Sequence, residues 1–298
     1  MPAVLGRSGY FVDSRRYACM TNKRPWRNAV SLLAGALLLA GCSEDRPTQV
    51  EKMVAAAVPG APPTAAADEA AKNASASKVS ESSDLIEFTY SYPADAARIP
   101  ELAEALDSDR AAKRAALIAA AERAKAAAEK NDHPYRPHSH RQTWQRVTNT
   151  PRFLSLSAEI DTYTGGAHGM EVFDTLLWDR GRRKRMKPLD LFESSAAFDA
   201  AVREAFCAGI KRAKAAKGIA AAEAPDSPFA KCPPASAQTV WIGSSDGRYL
   251  DRLTIAIAPY EVGPYAEGSY RINVPITGAV AKVVKDEFAR NIMPINQP

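Results

Sequence analysis

The sequence predicts an α+β fold, a mostly antiparallel sheet with packed helices, behind a disordered N-terminal tether. Three observations carry that expectation. Runs rich in β-branched and aromatic residues, bounded by turn residues, recur from Leu85 onward. Two longer segments space their apolar residues at helical intervals. The stretch from Ser43 to Ser83 is Ala, Pro, Ser and scattered charge, and cannot bury enough surface to offset its ordering entropy.

The N-terminal residues read as an export signal. Basic Lys23, Arg24 and Arg27 precede an apolar run from Ala29 to Ala40, and Leu39-Ala40-Gly41-Cys42 follows the lipoprotein cleavage pattern. The run is about a dozen residues, whereas a permanent helical span of a ~30 Å hydrocarbon core needs roughly 20. Cleavage would leave Cys42 as a lipidated N-terminus, anchoring the chain to the membrane and placing the rest outside the cytoplasm. Ser43 after the cysteine resembles the sorting pattern for an outer membrane, with the protein facing the periplasm. Met20 opens a normal signal n-region and is an alternative start to Met1. The expected organisation is therefore a signal peptide over 1–41, a disordered tether over 42–83, and globular segments over 84–160 and 161–298 that stand as two domains or form one unit.

Removing residues 1–41 changes the charge and the cysteine count. They hold six of the 39 basic residues and one of the 34 acidic ones, so the mature chain carries 33 of each. That neutrality removes the argument for a nucleic-acid partner that a net charge of +5 suggests. Cys19 is lost and Cys42 is acylated, leaving Cys207 and Cys232. In an oxidising compartment the two either pair, closing a loop worth about 3 to 4 kcal/mol, or stay reduced.

Within the globular part, Leu85 to Tyr92 reads as a strand stopped by Pro93. An Ala-rich helix over about 100–130 carries a thin stripe of Leu102, Leu106, Leu117 and Ile118, and Asp107-Ser108-Asp109 is placed to break it in two. Phe153–Ile160 and Val172–Trp178 form a hairpin around the glycine-rich Thr164–Gly169, and a turn at Asp179–Arg182 leads into a basic strand. Ser194 or Ser195 caps a helix whose Phe198, Val202, Phe206 and Ile210 share one face. Strands at Thr239–Ile242 and Leu250–Ala258 flank an Asp246-Gly247 turn, a Tyr260–Ser269 loop leads to a strand ending at Ile276, and Thr277 caps a last helix. Val280, Val283, Val284 and Phe288 make its apolar face, with Lys282, Lys285 and Glu287 opposite.

Few residues stand out as chemical. His168, between glycines, reads either as a general base or ligand, or as a turn histidine bonding the backbone. Gly165, Gly166 and Gly169 suit positive φ. Tyr260 and Tyr265 read equally as binding anchors or as loop aromatics that close the core. Asp132, His133, His138 and His140 form the only group of metal-ligand types, on what Pro134 and Pro137 suggest is an irregular, solvated loop rather than a zinc site. Arg180, Arg182, Arg183, Lys184, Arg185 and Lys187 either attract anionic headgroups or glycans, or mark a charged edge strand that resists aggregation.

The segment Tyr163-Thr164-Gly165-Gly166-Ala167-His168-Gly169, the later Leu189-Asp190-Leu191-Phe192, and the loop from Tyr260 through Gly263-Pro264-Tyr265 to Gly268, in that order, resemble the extracytoplasmic C-terminal domain of RsiV-type anti-sigma factors. Residues 84–160 resemble the small domain attached to PdaC-type polysaccharide deacetylases. The resemblance implies a domain that binds lysozyme or accompanies a peptidoglycan-modifying enzyme. It does not carry over sigma-factor inhibition, since neither a sigma-binding segment nor a permanent span reads from the residues before Cys42. Deacetylation is not carried over either, because the Asp-Asp pair and H-x-x-x-H site of those catalytic domains do not occur. The expected function is thus a non-enzymatic envelope lipoprotein that binds a lysozyme-like protein or peptidoglycan. Its candidate binding residues are Tyr163, Gly165, Gly166, His168, Tyr260 and Tyr265. No catalytic residue, metal or cofactor is assigned. The alternative is a peptidoglycan- or polysaccharide-modifying enzyme or its accessory subunit, with His168 in the site.

Overall fold

A computed structural model describes residues 73–219 and 227–295. The signal peptide, Cys42 and the tether as far as residue 72 lie outside the described residues. The protein is a mixed α+β fold in which antiparallel pairing dominates.

Its first sheet runs β1 (Ser77–Ser82), β2 (Ile86–Tyr92), β3 (His138–Asn149), β4 (Phe153–Tyr163), β5 (Met170–Asp179) and β6 (Lys184–Met186), neighbours in sequence order. Only β2 and β3 are parallel, and α2 (Pro100–Lys130) makes the crossover that parallel pairing demands. The short α1 (Ala94–Ala97) leads into it, and Pro100 sits in the first turn of α2, where its missing N–H costs nothing. The sheet is continuous through β4, which crosses residue 160.

Alternation on these strands sets two faces. Ile86, Phe88, Tyr90 and Tyr92 of β2, Trp144 of β3, Leu154, Leu156 and Ala158 of β4, and Leu176 and Trp178 of β5 pack with Leu102, Leu106, Leu117 and Ala121 of α2. Phe153, Leu177 and Met186 have the opposite parity and join a second core. That core lies with a three-stranded antiparallel sheet of β7 (Thr239–Gly243), β8 (Arg252–Ile257) and β9 (Tyr270–Pro275). It is covered by α3 (Ser195–Ala216). The backbone of α3 comes so close to β9 that a Cβ at Gly209 would overlap Ile272. Ser194 caps α3 by accepting the Ala197 N–H at 3.1 Å, and Cys207 on α3 is bonded to Cys232.

Four local expectations differ from the structure. Ser77–Ser82, within the stretch read as tether, forms edge strand β1; its polar side chains gave no alternation, and backbone pairing with β2 holds it. The residues read as a histidine loop are instead the start of β3, whose His138, His140, Gln142 and Trp144 point inward. α2 is unbroken at Asp107–Asp109, because these carboxylates accept the Tyr92 and Tyr90 hydroxyls, each at 2.9 Å, rather than competing for their own backbone. The last helix is two short ones, α4 (Gly278–Ala281) and α5 (Asp286–Ala289). Between them the Lys285 N–H donates to Leu191 O and Val283 O accepts the Glu193 N–H, so the backbone leaves the helix to pair with 191–193.

Candidate functional site

The tip of the β4–β5 hairpin and the loop after β8 meet at one exposed place. Gly165 and Gly166 take φ of +101° and +86°, which lets the chain reverse without strain. At Gly169 a Cβ would lie 2.6 Å from the Thr162 carbonyl oxygen, so only glycine fits where the two arms of the hairpin close. This geometry presents His168 outward.

Tyr265 stacks on His168, with ring centroids 3.7 Å apart and planes 18° from parallel. Tyr260 completes the group at 6.3 Å from His168 and 5.6 Å from Tyr265. The Tyr265 hydroxyl donates to Gly169 O at 2.9 Å. His168 Nδ1 lies 2.8 Å from that same oxygen. A carbonyl only accepts, so Nδ1 carries the proton, and in the neutral ring Nε2 is the acceptor, turned to the Tyr260 hydroxyl at 3.4 Å. Tyr260 is 49% exposed and is held at φ of +73°, a conformation costly for an aromatic residue.

Tyr163 stays apart from this trio. Its hydroxyl donates to Gly166 O at 3.1 Å and the Arg136 guanidinium lies 5.5 Å from its ring, so it braces the hairpin tip from its own strand. Of the candidate residues, then, the structure brings together His168, Tyr260 and Tyr265, with Gly165 and Gly166 shaping the turn beneath them.

The other group of metal-ligand types is dispersed. His138 and His140 are buried on β3, while Asp132 and His133 are exposed at the end of α2. Burial pushes the pKa of both buried imidazoles down; at His140 a hydrogen bond donated by Nε2 to Gln142 Oε1 partly offsets this. Among the described residues no cluster of three His, Cys, Asp or Glu side chains could hold a metal ion.

Sequence reasoning missed a buried polar chain beneath α2. Trp144 Nε1 donates to the Tyr90 hydroxyl, which donates to Asp109, each at 2.9 Å. Gln142 Nε2 reaches the same carboxylate at 3.4 Å, and its Oε1 lies 3.1 Å from His140 Nε2. Burial, then the Asp109 charge, push the Tyr90 phenol well above its usual range. The period-two spacing of His138, His140, Gln142 and Trp144 was the available signal.

The basic run divides by partner. Arg180 donates to Thr150 O and Asn149 Oδ1, Arg182 pairs with Glu287, and Arg183 pairs with Glu101. Arg185 stands 3.9 Å from Asp174.

Residues 79–171 match the family described as deacetylase PdaC, so this part of the chain is similar to that family. No curated protein matches the chain. Two solved structures of the DUF3298 family resemble it, each at 16% identity and a TM-score of 0.45. The one from Bacteroides fragilis covers 72% of this chain and 95% of its own, and the one from Pseudomonas aeruginosa covers 74% and 97%. Among the described residues no helix is long and apolar enough to cross a membrane.

Proposed function

We propose that this chain is a lipid-anchored envelope protein, tethered through Cys42, whose globular part binds a lysozyme-like hydrolase or a cell-wall glycan through the His168–Tyr260–Tyr265 surface. The observation that carries the reading is the exposed stack itself. Rigid aromatics with few rotatable bonds lose little entropy on contact, and their hydroxyl rims offer hydrogen bonds to a polar partner. The same geometry favours binding over turnover. His168 spends Nδ1 on a backbone carbonyl, and among the described residues no carboxylate orients it.

A lysozyme-like hydrolase and peptidoglycan are the two partners this reading names, and they separate in one assay. The purified protein is applied to immobilised muramidase and, separately, to insoluble peptidoglycan. Retention on either supports the reading, and Tyr260→Ala should weaken it about tenfold, the usual effect of losing an anchoring aromatic. Retention on neither sinks it. If the protein instead turns over peptidoglycan and His168→Ala abolishes that turnover, the site is catalytic and the binding reading is replaced.

A further inference from the structure

A cleft of about 460 Å³ opens at the other end of β5 from the aromatic group. The hairpin tip precedes Met170 and the cleft surrounds the turn after Asp179, so a strand of 10 residues, about 33 Å, separates the two places. Arg182, Lys184 and Arg185 come to the cleft from the turn and β6, and Lys285 comes from the bend before α5. Met186 and Phe288 give it an apolar floor.

Two acidic residues line it as well, and both are already engaged. Glu287 pairs with Arg182. Asp190 accepts the Lys187 N–H at 2.8 Å. The guanidinium of Arg182 also lies 4.9 Å from the Phe288 ring, which holds it in place. Lys285 Nζ donates to Asp190 O at 2.8 Å and keeps two further protons to give. Arg185 is 46% exposed, and its only ion pair among the described residues is the loose contact with Asp174. Lys184 is exposed on β6 and has no ion pair among the described residues. The lining therefore carries four cations against two anions, a net charge of +2 that Lys184, Arg185 and Lys285 share once Glu287 is set against Arg182 and Asp190 against one of the others.

We infer that this cleft is an anion site that takes a phosphate group carrying two or more negative charges. An arginine fork matches phosphate oxygens in pairs, and ammonium groups beside it neutralise the remaining charge. Discouraging edge-to-edge pairing accounts for basic residues on the edge strand β6. It does not explain why Lys285, 100 positions away in sequence, is brought to the same cavity. The inference does not depend on the aromatic surface, which lies at the opposite end of β5. Two sources can present such a phosphate: the headgroups of an anionic membrane, and a soluble phosphorylated ligand.

The test is a calorimetric titration of the purified protein with pyrophosphate, at low salt and at 0.5 M salt. Saturable one-to-one binding is expected, weakening steeply with salt. Lys184→Gln with Arg185→Gln should weaken it about tenfold, the loss expected from removing charge-assisted contacts. Lys285→Gln, on a different segment of the lining, should do the same while the thermal midpoint stays near that of the parent. Absence of saturable binding, or equal affinity in all three proteins, overturns the inference. Co-sedimentation with phosphatidylglycerol vesicles but not phosphatidylcholine vesicles identifies the membrane as the source. Pyrophosphate binding without vesicle binding identifies a soluble ligand.

Discussion

His168 and Tyr265, 97 positions apart in sequence, share one acceptor: the Nδ1 proton of the first and the hydroxyl of the second both point to the carbonyl oxygen of Gly169. The shared oxygen locks the two rings face to face at 3.7 Å and makes them one rigid unit. A double-mutant cycle of His168→Ala and Tyr265→Ala should therefore give a coupling of about 0.5 to 1.5 kcal/mol in urea unfolding. Additive effects would show that the rings are neighbours without mutual support.

Asp179 is fully buried at the end of β5 and accepts Arg152 Nη2 at 3.0 Å and the Gly181 N–H at 2.9 Å. Arg152 also donates to Glu287 O and Asn291 Oδ1, tying the sheet to the C-terminal turn. Asp179→Ala should cost about 3 kcal/mol, because it strands a largely buried guanidinium. Arg183→Gln, which breaks the exposed pair with Glu101, should cost under about 1 kcal/mol. Chemical denaturation of both variants checks the ratio.

Tyr90→Phe removes the central hydroxyl of the chain beneath α2 and leaves Trp144 Nε1 without its acceptor. A loss of about 1 to 3 kcal/mol is expected, the cost of an unsatisfied buried donor. Tyr92→Phe makes the same change against the more exposed Asp107 and should cost less. Equal losses would show that burial does not set the difference.

Acid should destabilise the protein well above the carboxylate range. His138 and His140 titrate lower in the folded protein than in the unfolded chain, where an ordinary imidazole has a pKa of about 6.5. The unfolded state then binds more protons, so their contribution is intact above that value and declines as the pH falls through it toward the folded pKa. Glu101 and Asp251 are both held below their usual range despite burial. Glu101 is held by a hydrogen bond from Arg183, and Asp251 by hydrogen bonds from Ser245 and Arg252. Their contribution is lost only in stronger acid. The urea midpoint should fall between pH 7.5 and 5, and His138→Gln with His140→Gln should flatten that fall. An unchanged slope in the double variant would refute the assignment.

Much of the fold was legible because local pattern and final burial coincide. The alternation of β2, the glycine-rich reversal between β4 and β5, the serine cap of α3 and the threonine cap of α4 all depend on residues a few positions apart. Where pattern and burial part company, the reading failed. β1 has six mostly polar residues and is a strand only because β2 offers it a partner. β3 buries two histidines and a glutamine, which look like loop residues until Tyr90 and Asp109 arrive from elsewhere to satisfy them. The aromatic residues of the candidate site were visible singly, but their meeting was not.

By itself the sequence determined the α+β class and which residues were available for aromatic contact or for charge. Only the tertiary structure decided that α2 runs unbroken, that β2 and β3 lie parallel, that Tyr163 stands apart from His168, and that Lys285 joins the basic turn. The physical reason is range. Periodicity and capping are fixed by neighbours along the chain, whereas the partner of a strand, the acceptor of a buried hydroxyl and the convergence of two loops are fixed by packing across a core that no local segment contains.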